Sequence, residues 1–98
     1  MGKIFVNQSK LRLQLNLGIA LESGDVPSIR YRKPNSTATK EFAAEILNAA
    51  TGSIYYDFLA GELDVAGTWV FWSYVVFDDG RSAPGEVAVV KVYAEGTN

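Results

Sequence analysis

Leu11, Leu13, Leu15, Leu17, Ile19 and Leu21 occupy every second position of one run. Arg12, Gln14, Asn16, Gly18, Ala20 and Glu22 lie between them. Successive side chains of a strand point to opposite faces, so period two predicts a half-buried strand with its leucines on the core. A helix would scatter the same leucines around its circumference. Gly18 marks a bulge, or a change of pairing partner, within so long a strand.

A second run, Thr68 to Phe77, reads TWVFWSYVVF and holds both tryptophans. Trp69, Phe71, Ser73, Val75 and Phe77 form one alternating set; Val70, Trp72, Tyr74 and Val76 form the other. A strand with one wet face shows polar residues in one set. Neither set here does. The strand is therefore covered on both sides, or it shows an apolar face to a partner. Asp78-Asp79-Gly80 ends it with a hairpin turn signal.

The remaining segments fall around these two. Lys3 to Val6 reads as a short first strand, and Glu22 to Pro27 as a loop. Ser28 to Lys33 is a strand with Ile29 and Tyr31 on one side and Arg30 and Arg32 on the other. Pro34-Asn35-Ser36 turns it. Thr39 to Leu47 fits two patterns. Phe42, Ala44 and Ile46 suit a strand, whereas Phe42, Ala43, Ile46, Leu47 and Ala50 suit a helix that alanine favours. Hairpin spacing between strong neighbours leans toward the strand.

Asn48 to Gly52 is a turn, and Ser53 to Leu59 a strand with Ile54, Tyr56 and Phe58 on one side. Ala60 to Gly67 is a connection in which one helical turn would tuck Leu63 under the core. Arg81 to Pro84 begins a return strand that Pro84-Gly85 interrupts. Glu86 to Tyr93 is the last strand, and residues 1–2 and 94–98 read as frayed ends. About seven strands separated by turn signals in 98 residues predict an all-β, immunoglobulin-like antiparallel sandwich in one domain, 1–98.

Composition narrows the chemistry. The chain has no cysteine and no histidine, which removes thiol nucleophiles, serine–histidine triads and the usual zinc sites. Nine basic against eleven acidic residues give a net charge of −2. That charge argues against nucleic acid or an anionic membrane as a partner. No apolar run approaches the ~20 residues of a membrane span. MGKIFVNQSK lacks the apolar core of a signal peptide. The expectation is a chain made and kept in a cytoplasm unless a larger assembly carries it out.

Trp69, Phe71 and Phe77 are expected in the core, where aromatics fill a layer ~10 Å thick. Trp72 and Tyr74 lie on the opposite set. The last strand can add Val87, Val89 and Tyr93 beside them. These five residues, Trp72, Tyr74, Val87, Val89 and Tyr93, form the candidate partner-binding surface. A covering loop or terminal segment would be the bland alternative, and the opposite assignment of faces would exchange the two sets.

Arg30, Arg32 and Lys33 read as a basic run on one strand face, solvated or paired with Glu41 or Glu45. The acidic residues of the second half are Asp57, Glu62, Asp64, Asp78, Asp79 and Glu86. Two of them could meet as a carboxylate pair or a calcium site, yet their spacing fixes no such geometry. Turn formation explains Asp78 and Asp79 better. No catalytic residue, metal site or cofactor is expected.

Four stretches carry a family likeness. They are Leu11 to Leu21; Ile29-Arg30-Tyr31-Arg32-Lys33-Pro34; Thr51-Gly52-Ser53-Ile54-Tyr55-Tyr56; and Leu63-Asp64-Val65-Ala66-Gly67-Thr68-Trp69 running into Tyr74 to Arg81. Together they resemble the small immunoglobulin-like β-sandwich domains of tailed bacteriophage and prophage structural proteins. The N-terminal domain of baseplate upper proteins is one of these. The resemblance implies a non-enzymatic virion structural or assembly protein, of the tail or baseplate, that binds other virion proteins or itself. Its location would be the host cytoplasm during assembly and then the virion. The expectation is one domain alone, a departure from such proteins, with no following fibre or receptor-binding region, which makes direct receptor binding the lesser expectation. The alternative function is a carbohydrate-binding module that stacks Trp72, Tyr74 or Tyr55 on a sugar.

Overall fold

The computed structural model describes residues 4–9 and 11–94. Eight strands follow one another: β1 (Ile4–Phe5), β2 (Leu11–Asn16), β3 (Val26–Arg32), β4 (Lys40–Ala43), β5 (Glu45–Asn48), β6 (Ser53–Phe58), β7 (Gly67–Val76) and β8 (Ser82–Tyr93). They form a five-stranded sheet in the order β1-β8-β7-β3-β4 and a three-stranded sheet in the order β2-β6-β5. Every pairing is antiparallel except β1 on β8. The chain crosses between sheets after β1, β2, β4 and β6. The result is the expected immunoglobulin-like sandwich.

The sheets face one another across an aromatic layer. Phe58 of β6 meets Phe71 of β7 edge to face, with ring centroids 5.7 Å apart. Phe42 of β4 stacks on Tyr56 of β6 at 4.3 Å. Trp69, Phe71, Ile29, Ile54, Leu63, Val75 and Val92 are almost completely buried. Each such apolar side chain contributes roughly 1.5–3 kcal/mol by leaving water. The buried Trp69 indole N–H donates to the Val65 carbonyl at 2.8 Å, so its one polar atom is satisfied.

Trp69, Phe71, Ser73 and Val75 are therefore the inward set of β7, and Val70, Trp72 and Tyr74 the outward one. Phe77, expected in the core, lies beyond the strand and is half-buried. Ile29 and Tyr31 are buried while Arg32 is exposed, as the alternation in Ser28 to Lys33 predicts. Lys33-Pro34-Asn35-Ser36 closes with a Ser36 N–H to Lys33 carbonyl bond of 3.2 Å and Asn35 at φ 59°, the geometry of a type II turn.

The structure corrects several expectations. The leucine run is not one strand: β2 stops at Asn16. Gly18 takes φ 79°, and the chain leaves the β6 ladder. Leu17 and Leu21 instead donate their N–H groups to the carbonyls of Gly52 and Ala49. Both stay buried, whereas Ile19 is 42% exposed. The segment from Thr39 to Leu47 is extended, yet it is two strands belonging to different sheets, with Ala44 as the crossing point. That split raises the count from seven to eight. The connection from Ala60 to Gly67 holds turns and bends rather than a helical turn, although Leu63 is buried as foreseen. The return strand runs on from Ser82 as part of β8, and its pairing with β7 is interrupted at Pro84-Gly85 as expected, by a register shift opposite Ser73. The first strand is shorter than expected, and Lys3 lies outside the described residues. Of the frayed ends expected at 1–2 and 94–98, all but Ala94 lie outside the described residues.

Candidate functional site

The outward residues of β7 lie at the middle of the larger sheet, because β3 flanks it on one side and β8 on the other. Trp72 stands opposite Arg30 on β3 and Val87 on β8. Val70 stands opposite Arg32 and Val89. Val87 is 61% and Val89 67% exposed, unusual for β-branched side chains side by side on a sheet face. Val26 and Val76, paired with each other, extend the exposed strip toward the Asp78–Gly80 turn.

The arginines of β3 lie across the aromatic rings. The Arg30 guanidinium sits 3.6 Å from the centroid of the Tyr74 ring, and Arg32 lies 5.4 Å from that of Trp72. Both contacts run diagonally, from one β3 residue to the β7 residue two places from the one it faces. Cation–π attraction of this kind is worth ~0.5–1 kcal/mol at an exposed site. Arg30 Nε donates to Glu41 Oε2 at 3.4 Å, and Arg32 Nε to Thr39 Oγ1 at 3.4 Å. The Tyr74 hydroxyl donates to Ser82 Oγ at 2.7 Å. The face is thus an apolar stripe with its cations pinned along one flank.

Four of the five candidate residues, Trp72, Tyr74, Val87 and Val89, come together in this stripe. Tyr93 shares the face but lies beyond Lys91, whose Nζ is 5.3 Å from its ring centroid, and it packs against Phe5 at 6.4 Å. Arg30, Arg32 and Val70 belong to the same surface and were not among the candidates. Their outward positions were readable from the alternation in each strand. The pairing of β3 with β7, which joins them to Trp72, was not.

Lys33 does not share the face of Arg30 and Arg32, contrary to the basic run read from the sequence. It follows the end of β3, where its Nζ pairs with Asp64 Oδ1 at 2.9 Å and lies 5.8 Å from the Trp69 ring centroid. The Lys33 ammonium holds the Asp64 carboxyl below its ordinary pKa. Glu45 sits in the other sheet, so Glu41 alone of the two meets Arg30.

Most of the remaining acidic residues accept hydrogen bonds. Asp57 accepts two bonds from Arg12, at 2.7 and 3.0 Å, and this bidentate pair lowers its pKa while raising that of Arg12. Glu62 accepts from the Tyr56 hydroxyl and from the Leu59 N–H, both at 2.6 Å. Asp79 accepts from the backbone N–H and guanidinium of Arg81, which lowers its pKa. Glu86 accepts from the Asn16 N–H at 3.0 Å. Asp25 accepts from the backbone of Glu22 and of Asp78, bracing the loop beside that turn. Among the described residues, no three His, Cys, Asp or Glu side chains converge in a way that could hold a metal ion.

Tyr55, the third ring considered for sugar stacking, carries the Arg12 guanidinium at 4.0 Å from its centroid. No helix is long and apolar enough to cross a membrane among the described residues. No protein-family model matches the chain, and no curated protein matches it.

Proposed function

We propose that the protein works by protein–protein contact, as a non-enzymatic structural or assembly component of a tailed phage or prophage particle. One observation carries the contact reading: Val87 and Val89 stand exposed beside Trp72 and Val70 on an ordered sheet face. A rigid β-rich face needs little ordering on docking, and Trp, Tyr and Arg are the side chains that most often anchor interfaces. Arg30 and Arg32 along the flank favour a partner that presents an apolar centre with carboxylates beside it. The particle assignment rests on the resemblance of the four sequence stretches. It places the chain in the host cytoplasm during assembly and then in the tail or baseplate. Sugar stacking is the weaker reading, because Trp72, Tyr74 and Tyr55 each carry a guanidinium against the ring.

The test is quantitative mass spectrometry of purified particles induced from the source strain. A fixed copy number per particle is expected. Its absence from particles whose other proteins are all detected would reject the virion role.

A further inference from the structure

A different surface, the free edge of β2, presents unfilled backbone hydrogen-bonding positions above an apolar slot. In an antiparallel pair, alternate residues turn both backbone groups toward one neighbour and then away from it. Asn16 fixes the phase. Its N–H donates to Glu86 Oε1 rather than to a strand partner, and its carbonyl accepts from Ser73 Oγ at 2.9 Å. Leu17, by contrast, donates to Gly52 on the β6 side. Arg12 and Gln14 share the phase of Asn16, so their N–H and C=O groups also point away from β6. Among the described residues, no backbone partner meets them there.

Beneath this edge lies a slot of about 50 Å³, lined by Ile4, Phe71 and Val90 of the larger sheet, Leu11, Arg12, Leu13 and Phe58 of the smaller one, and Leu63. Leu11 and Leu13 are half-buried, whereas Leu15 is buried. The core is open at this corner because β1 pairs with β8 and, among the described residues, no strand lies outside β2.

The other sheet edges are blunted throughout, whereas β2 is covered only at Asn16, where Glu86 and Ser73 take its outward backbone groups. β1 has two residues, β4 begins with Lys40-Glu41, and β5 is interrupted by a bulge between Ile46 and Asn48. β2 is six regular residues with no proline and no bulge. Its one cation, Arg12, is neutralised by Asp57.

We infer that β2 pairs antiparallel with β2 of a second copy, about a two-fold axis at Leu13, to make a continuous six-stranded sheet. This register sets Arg12 opposite Gln14 of the second copy and Gln14 opposite its Arg12. Residues placed so exchange both backbone bonds, so the open positions are filled. The side chains are compatible as well. Arg12, already held by Asp57, stands opposite the neutral Gln14, and no two arginines stand directly opposite. Leu13 meets Leu13 of the second copy and closes the slot of each. The inference does not depend on the outer face of the larger sheet.

The chain's lack of cysteine makes the test direct. A non-hydrogen-bonded antiparallel pair has Cα atoms ~4.5 Å apart, within the reach of a disulfide. Leu13→Cys should therefore cross-link into a covalent dimer under mild oxidation, at least about tenfold faster than Ile46→Cys on the β5 edge. Sedimentation equilibrium of the full chain supplies the second readout. Gln14→Arg sets like charges opposite one another twice and should weaken the dimer about tenfold, while Gln14→Glu should tighten it to a similar degree. Residue 14 is exposed, so both variants keep the fold, and their unfolding midpoints verify this. A chain that stays monomeric with no preferential cross-link at residue 13 overturns the inference. So does a dimer that ignores residue 14 but is lost in Trp72→Ala, since that interface would be the outer face.

Discussion

The hydroxyl of Ser73, at the centre of β7, donates to the carbonyl of Asn16 at the end of β2, 2.9 Å away in the opposite sheet. Ser73 is completely buried and is the one polar residue in the inward set of its strand. Its place there follows from Gly85, which passes directly over it in the bulge of β8. A Cβ at residue 85 would collide with Ser73 Oγ and lie 3.0 Å from both the Asn16 carbonyl oxygen and the Leu17 Cα. Two backbones and a hydroxyl thus meet where only glycine fits. Gly85→Ala should destabilise the protein by ~2 kcal/mol or more. Ser73→Ala should cost ~1–3 kcal/mol through the lost bond. Removing the hydroxyl also makes room, so the double variant should be more stable than the sum of the single losses implies. Urea unfolding of the four proteins measures this coupling. Strict additivity would mean that Gly85 and Ser73 do not press on one another.

Leu63 is 1% exposed although it belongs to no strand. It fills the core from the connection between β6 and β7, and its carbonyl accepts from the Asn7 N–H at 2.7 Å. Leu63→Ala should therefore cost ~2–5 kcal/mol, the range of a core leucine rather than a loop residue. Thermal unfolding checks it. A loss under ~1 kcal/mol would show that the connection collapses into the space.

The sequence pattern and the structure agree best where alternation is strict and both faces differ. In β3, Ile29 and Tyr31 against Arg30 and Arg32 reveal orientation at once. In β7 both faces are apolar, so the pattern reveals a strand and leaves its orientation open. Burial of Trp69, Phe71, Ser73 and Val75, not of Trp72, settled it, and the partners they meet in the opposite sheet are encoded in no local pattern. The leucine run shows the converse. Leu17 and Leu21 keep period two and are buried, yet positive φ at Gly18 ends the ladder between them. Ala44 is a further case, since one residue between two strands, its N–H donating to the Pro27 carbonyl at 3.4 Å, moves the chain to the other sheet. The candidate surface was legible as far as single strands reach. Arg30 and Arg32 joined it only through the β3–β7 register, which is a long-range fact.

Val89→Asp places a charge in the exposed stripe without touching the core. It should change stability by no more than ~0.5 kcal/mol. It should also reduce the copy number of the protein in particles severalfold, because the charge must be desolvated on docking. Lys91→Asp, two residues along the same face and outside the stripe, is the matched control. Wild-type incorporation of Val89→Asp would move the contact away from this face.

Tyr56 couples the core to pH. Its ring stacks between Phe42 and the edge of Phe58, and its hydroxyl donates to Glu62. Burial first, and then the bond to Glu62, push its pKa up to about 12. An unfolded tyrosine ionises near ~10. Between these values the folded state keeps a proton that the unfolded state releases. Stability from this group is therefore complete below pH ~10 and falls as pH rises toward about 12. The loss should be on the order of 1 kcal/mol once solvent screening is allowed for. Tyr56→Phe lacks the ionisation and also lacks the bond, so at neutral pH it should be less stable by ~1 kcal/mol. The two stability curves should then converge across the window from ~10 to ~12. Tyr31, whose pKa burial also raises, is present in both proteins and cancels in the comparison. Urea unfolding at pH 9, 10.5 and 11.5 provides the measurement, and a constant gap between the curves would show that Tyr56 ionises alike in both states.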